Sequence, residues 1–214
     1  MTPWAILGLG FMLGLRHATD ADHVVAVSTI VSRSKTLRSA VLIGALWGLG
    51  HTLTILLVGG AIVVFHVVVP PGVDTVLELC VATMLIVLGG LNVFGALLQQ
   101  HAAKHADHRA PAQPEARLSL RPLFVGIVHG LAGSAAIALL VLATIESVAG
   151  ALLYLGLFGV GTIVGMALLT FLVVVPVAAA SRRFVSLERY LAGFTGVASV
   201  AFGALLALRA VLGD

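Results

Sequence analysis

Long apolar runs alternate with short polar connections along this whole chain. Six runs read as membrane-spanning helices: roughly 4–31, 39–66, 73–98, 121–145, 149–179 and 187–212. Each reaches or exceeds the about 20 apolar residues needed to cross a hydrocarbon core, and the longer ones can tilt. The connections are SRSKTLR, VVVPPGVD, a polar stretch from Gln99 to Ser119, a short turn near Glu146–Ala149, and AASRRFVS. Strands are not expected. The runs are too long for them, and the abundant Gly and Ala let helices pack closely in lipid. The first run breaks its own pattern, because RHATDADH at 16–23 sets an arginine, two histidines and two aspartates in apolar surroundings.

The pattern also repeats. Gly14 and His17 fall on Gly126 and His129 at a shift of 112; LWGLGHT from Leu46 falls on LFGVGTI from Leu157 at 111; FGALL recurs at Phe94 and Phe202, a shift of 108. Each match is weak alone, but three in order at nearly one shift predict an internal duplication. Three spans per half is an odd number, which forces the second half into inverted topology, a recurring plan of secondary transporters. The expected fold is therefore an all-α integral membrane protein, six transmembrane helices arranged as two inverted three-helix repeats. Residues 1–98 form the first repeat, 99–120 a histidine-containing cytoplasmic linker, and 121–214 the second repeat.

Composition agrees with a membrane setting. Of 214 residues 60% are hydrophobic and 10% charged, against about 25% charged in a soluble domain, and the mean hydropathy is +1.13. The net charge of +3 does not imply a nucleic-acid surface, because the basic residues sit in connections. Arg33, Lys35 and Arg38 lie in the first, Lys104, Arg109 and Arg117 in the third, and Arg182, Arg183 and Arg189 in the fifth. The second and fourth connections hold Asp74 and Glu146 and no Lys or Arg. The positive-inside rule then makes the odd connections cytoplasmic and leaves both termini outside. The N-terminal run carries no leading basic residue and does not read as a cleaved signal peptide. One cysteine, Cys80, supplies neither a disulfide nor a thiolate cluster.

The polar cluster needs a partner. A charged side chain at a helix centre costs roughly 2.5–3.5 kcal/mol on insertion scales, so Arg16, Asp20 and Asp22 together cost on the order of 8–10 kcal/mol if unpaired and lipid-facing. Arg16 and Asp20, four apart, could pair with each other, which leaves Asp22 and both histidines unexplained. On a regular helix at about 100° per residue, Arg16, His17, Asp20 and His23 share a face, and Asp22 points elsewhere. Either Asp22 pairs with another helix, or the helix is unwound at the motif. Imidazole and carboxylate together suit nickel, cobalt or zinc, whereas copper(I) prefers sulfur, which is scarce here. His51 in the second run and His129 in the fourth are further candidate ligands, though each could equally hydrogen-bond a backbone carbonyl. His66 reads as interfacial. His101, His105 and His108 would share one face if the linker were helical, but a solvated linker with incidental histidines is the simpler reading.

RHATDADH and LGHT (49–52) together resemble two signature blocks of the nickel/cobalt transporter family. The resemblance covers about residues 10–60. The second half carries HGLAGSAA in place of that family's later blocks, and so is similar to the shorter, urease-accessory-type branch. The resemblance implies secondary uptake of Ni2+, with Co2+ second, across the bacterial cytoplasmic membrane, to supply metalloenzymes such as urease. It carries over His17, Asp22, His23 and His51 as metal ligands; Asp20, Arg16 and His129 are secondary candidates. A metal exporter of related fold is the alternative. Entry from outside, with protonation of a histidine or aspartate coupled to release, fits the competition between metal and protons. No P-loop and no H-E-x-x-H occurs, so neither ATP-driven transport of that kind nor enzymatic activity is expected, and no cofactor beyond the cargo ion. The partners are the ion and the lipid bilayer. Oligomeric state is not fixed by the sequence.

Overall fold

The computed structural model describes residues 3–31, 36–67, 70, 72–105, 120–131, 142, 144–181 and 187–213. The described residues form seven α-helices: α1 (Pro3–His17), α2 (Ala21–Val31), α3 (Leu37–Phe65), α4 (Val73–His105), α5 (Arg121–Gly130), α6 (Val148–Ser181) and α7 (Leu187–Leu212). No strand occurs among them. Within α3, α4, α6 and α7 lie four stretches long and apolar enough to cross a membrane. Their outward faces carry exposed side chains such as Leu57, Leu91, Phe94 and Phe194. An apolar surface of that extent needs lipid to cover it.

Two boundaries differ from the sequence expectation. The first run is two helices, not one, separated by Ala18–Asp20. The third run stays helical past Leu98 to His105, so α4 enters the segment expected to be linker. Residues 106–119, including His108, lie outside the described residues, as do Arg33, Lys35, Arg182 and Arg183 and most of 132–143. α3 begins where Thr36, in extended conformation, accepts a hydrogen bond from the Ser39 amide at 3.2 Å, which satisfies one of the orphan donors of a helix start. It ends at His66, whose left-handed backbone (φ 51°) stops the helix.

Helices pair in a fixed scheme: α4 on α7, α3 on α6, α1 on α6 and α5 on α3. Contact order along the chain gives the directions. Gly44 meets Thr170 and Met166 while Gly59 meets Leu155, so α3 and α6 are antiparallel. Gly10 meets Tyr154 and Gly14 meets Phe158, so α1 is parallel to α6; Gly126 meets Trp47 and Gly130 meets His51 and Thr54, so α5 is parallel to α3. It follows that α1 and α5 run toward each other from opposite sides. Gly89 against Ser199 and Gly203 against Ala82 make α4 and α7 antiparallel.

The close contacts are reciprocal. A Cβ at Gly14 would strike the Phe158 carbonyl, and one at Gly126 would strike the Trp47 carbonyl. A Cβ at Gly50 would strike Leu123 and Ile127, and one at Gly161 would strike Phe11 and Leu15. At every one of these positions glycine alone lets two backbones approach so closely. The interior divides into an apolar cluster around Trp47, Leu85 and Met166 and another around Tyr154, Leu155 and Phe158. His17 and His23 lie where these two meet, against Phe158 and Trp47.

Candidate metal centre

The break between α1 and α2 follows from RHATDADH itself. Thr19 and Asp20 carry short polar side chains that compete with the helix for backbone and neighbouring groups. The Thr19 hydroxyl donates to the Arg16 carbonyl at 2.6 Å. The Thr19 and Asp20 amides turn back to the Arg16 and His17 carbonyls, tightening the last turn of α1. Val24 then donates to the Asp20 carbonyl and opens α2. Asp22 thus sits in the first turn of α2, where the helix dipole favours negative charge.

Four histidines from four helices converge on this break. His17 ends α1, His23 belongs to α2, His51 to α3 and His129 to α5. His23, His51 and His129 are wholly buried and His17 nearly so. Ring centroids lie 4.6 Å apart for His17–His23, 5.1 Å for His23–His51 and 4.3 Å for His23–His129. His17 Nδ1 donates to Asp20 Oδ2 at 2.9 Å, and His23 Nδ1 donates to Asp22 Oδ1 at 3.1 Å. A carboxylate can only accept, so each aspartate fixes the tautomer of its histidine and turns the Nε2 lone pair inward. His17 Nε2 and His51 Nε2 stand 2.9 Å apart. Asp22 Oδ2 is 3.0 Å from His129 Nε2, though not aligned for a hydrogen bond.

Several ring nitrogens are left over. His23 Nε2, His51 Nδ1 and both nitrogens of His129 are buried without a hydrogen-bond partner. An unsatisfied buried polar atom costs about 1–3 kcal/mol, so a cluster of them is poor at merely holding the fold together. It is well made to receive a cation. Donor atoms of His17, His23 and His51 lie within 4.8 Å of one another, and so do those of Asp22, His23 and His129. The carboxylate-to-imidazole bonds of Asp20 and Asp22 are of the kind that orient metal-ligating histidines.

The sequence candidates separate here. His17, Asp22, His23 and His51 are brought together, and His129 joins them. Of the two ways to account for Asp22, both occur: the helix is broken before it, and it reaches another helix at His129. Asp20 pairs with His17 rather than with Arg16. The Arg16 side chain is exposed, and neither the Arg16–Asp20 ion pair that the spacing allowed nor the shared face with His17 forms among the described residues. His66 is exposed beyond the end of α3, apart from the cluster. Two residues not singled out in the sequence wall the site. Trp47 stacks on His23 at 5.7 Å and meets His129 edge-on at 5.4 Å, while Phe158 lies 5.4 Å from His17. The signal that could have found Trp47 is its i, i+4 spacing from His51; Phe158 is its match in the repeat.

Over 206 residues the chain is 37% identical to the urease accessory protein UreH of Bacillus sp. (strain TB-90), covering 93% of this chain and 89% of that one. The chain belongs to the UreH family. No family model and no solved structure matches it. The expected urease-accessory branch is thereby established for this UreH-family chain, while the wider likeness to nickel/cobalt transporters rests on RHATDADH and LGHT alone. That relative's name describes an accessory protein.

Proposed function

We propose that this chain is a secondary transporter that takes up a divalent transition-metal ion, Ni2+ first and Co2+ second, across the bacterial cytoplasmic membrane. The ion is held by His17, His23 and His51, with Asp22 beside them and Asp20 orienting His17. One observation carries the reading: four buried histidines, with nitrogens left unpartnered, meet at the point where a membrane-length apolar run is broken into two short helices. Helices broken at depth are tolerated where they line a binding site, and transporters place their sites there. Imidazole donors suit nickel and cobalt, and kinship to a urease accessory protein favours nickel, the metal of urease.

The bundle is read as six spans in two inverted repeats. The opposed directions of α1 and α5, of α3 and α6 and of α4 and α7, and the reciprocal glycine contacts, support this. α1 is 15 residues long, about 22 Å at 1.5 Å per residue, so it brings His17 only part-way through the bilayer. With the odd connections cytoplasmic and the termini outside, the ion enters along α1 and leaves toward α5. The test is Ni2+ uptake into proteoliposomes. Purified protein should accumulate Ni2+ inward, and His17→Ala and His23→Ala should each abolish it. Uptake equal to empty liposomes would reduce the protein to a non-transporting accessory; transport unchanged in both variants would remove the assigned site.

A further inference from the structure

We propose that Asp22, His23 and His129 form a second metal station, distinct from that of His17, His23 and His51, and that the ion steps between the two with His23 as the shared ligand. The inference rests on the transport reading above and deepens it. It begins with His129, whose one acidic neighbour among the described residues is the Asp22 carboxylate. Its ring is wholly buried and neither nitrogen makes a hydrogen bond. A core histidine retained for packing would be satisfied by a carbonyl or hydroxyl. His129 instead holds Nε2 at 3.0 Å from an Asp22 oxygen and packs its ring edge-on against His23 at 4.3 Å.

Two donor sets result, each compact and each containing His23. Beyond the shared His23 they approach through His51 and His129, whose ring centroids stand 5.8 Å apart, the widest of the histidine ring contacts. His17 has ring contacts with His23, His51 and Phe158, and none with His129 among the described residues. An imidazole presents its two nitrogens on opposite edges, so one ring can serve an ion on either side. Nε2 of His23 is free for the first set, and Nδ1, which faces Asp22, serves the second once its proton has passed to the Nε2 that the ion has left. Three imidazoles make the first station; two imidazoles and a carboxylate make the second, and both donor sets suit nickel or cobalt. Two divalent ions across a single imidazole would repel strongly, so the stations fill in turn rather than together.

Their placement gives the step a direction. His17 lies in the last turn of α1 and His129 in the last turn of α5, and these helices approach from opposite sides. An ion that moves from the first station to the second therefore passes from ligands anchored on one side of the bundle to a ligand anchored on the other. Trp47, packed against both His23 and His129, holds the two rings in register.

Cobalt is the probe. In a Cys80→Ser background, which removes the exposed native thiol, His129→Cys is loaded with Co2+ alone. A thiolate-to-cobalt charge-transfer band is expected, because the sulfur then stands where a ligand stands. His129→Gln is the second variant, keeping the bulk of the side chain. It should still bind Co2+ at His17, His23 and His51, while Co2+ uptake into proteoliposomes falls by about tenfold or more. A folded His129→Cys protein that binds Co2+ without the band overturns the second station, as does wild-type uptake in His129→Gln. If His129→Cys is not monodisperse, His129→Gln decides alone. Failure of the underlying reading looks different: His17→Ala and His23→Ala would then bind and transport Co2+ like wild type.

Discussion

Asp20 and Asp22 are two residues apart, yet they serve different imidazoles, His17 and His23. Each takes an N–H that would otherwise point away from the cluster and so commits the opposite nitrogen to it. Asp20→Asn and Asp22→Asn should therefore weaken Ni2+ binding by about 10–100-fold, read by titration of purified protein. Unchanged affinity in both would mean that the carboxylates only ease the helix break. Protons compete for the same nitrogens, so binding should weaken as pH falls and recover as it rises; affinity independent of pH between mildly acidic and mildly basic buffer would contradict imidazole ligation. That His17, Asp22, His23 and His51 stand out was legible because a polar residue in an apolar run has no cheap place to be; their grouping as a set came from the resemblance of RHATDADH and LGHT. Trp47 and Phe158 were not, since an aromatic among leucines carries no contrast. Arg16 misled for the opposite reason: its charge stood out, but the break lets it turn to the exterior.

At the scale of elements, the division of the first run was legible only as one of two alternatives. Helical periodicity showed that Asp22 could not share a face with His23, but not where the chain would yield; Thr19 and Asp20, which bond back onto α1, settle that. The packing between elements depends on glycines whose missing Cβ admits a neighbouring backbone. Gly14→Ala and Gly126→Ala should each destabilise the protein by about 1–3 kcal/mol, seen as a lower melting temperature in detergent. Gly8→Ala, on the same helix as Gly14 but with nothing within 4 Å of its Cβ position, should melt like wild type. Equal melting of all three variants would mean that α1 and α5 are not seated as described. These contacts were invisible in the sequence, where a glycine at an interface reads the same as a glycine facing lipid.

For the whole molecule, the apolar runs gave the four long spans and their approximate limits. What they could not give was partner choice: that α1 lies along α6, and α5 along α3, crossing the boundary between the halves. The repeat hinted at this, since Gly14 and Gly126 occupy matched places and meet the matched residues Phe158 and Trp47. The orientation rests on loop charge and has a direct check. In the Cys80→Ser background, Pro70→Cys and Ser147→Cys should react with an impermeant maleimide on intact cells, and Leu120→Cys only after permeabilisation. Labelling of Leu120→Cys on intact cells would invert the topology.

The central claim is that these buried imidazoles hold the metal. Nickel K-edge X-ray absorption of the purified, Ni2+-loaded protein tests it most directly. The account predicts a first shell containing nitrogen, with the outer-shell scattering of three imidazoles that diminishes in His51→Ala. A shell of oxygen alone, or an imidazole signature unchanged in His17→Ala, His23→Ala and His51→Ala, would contradict it.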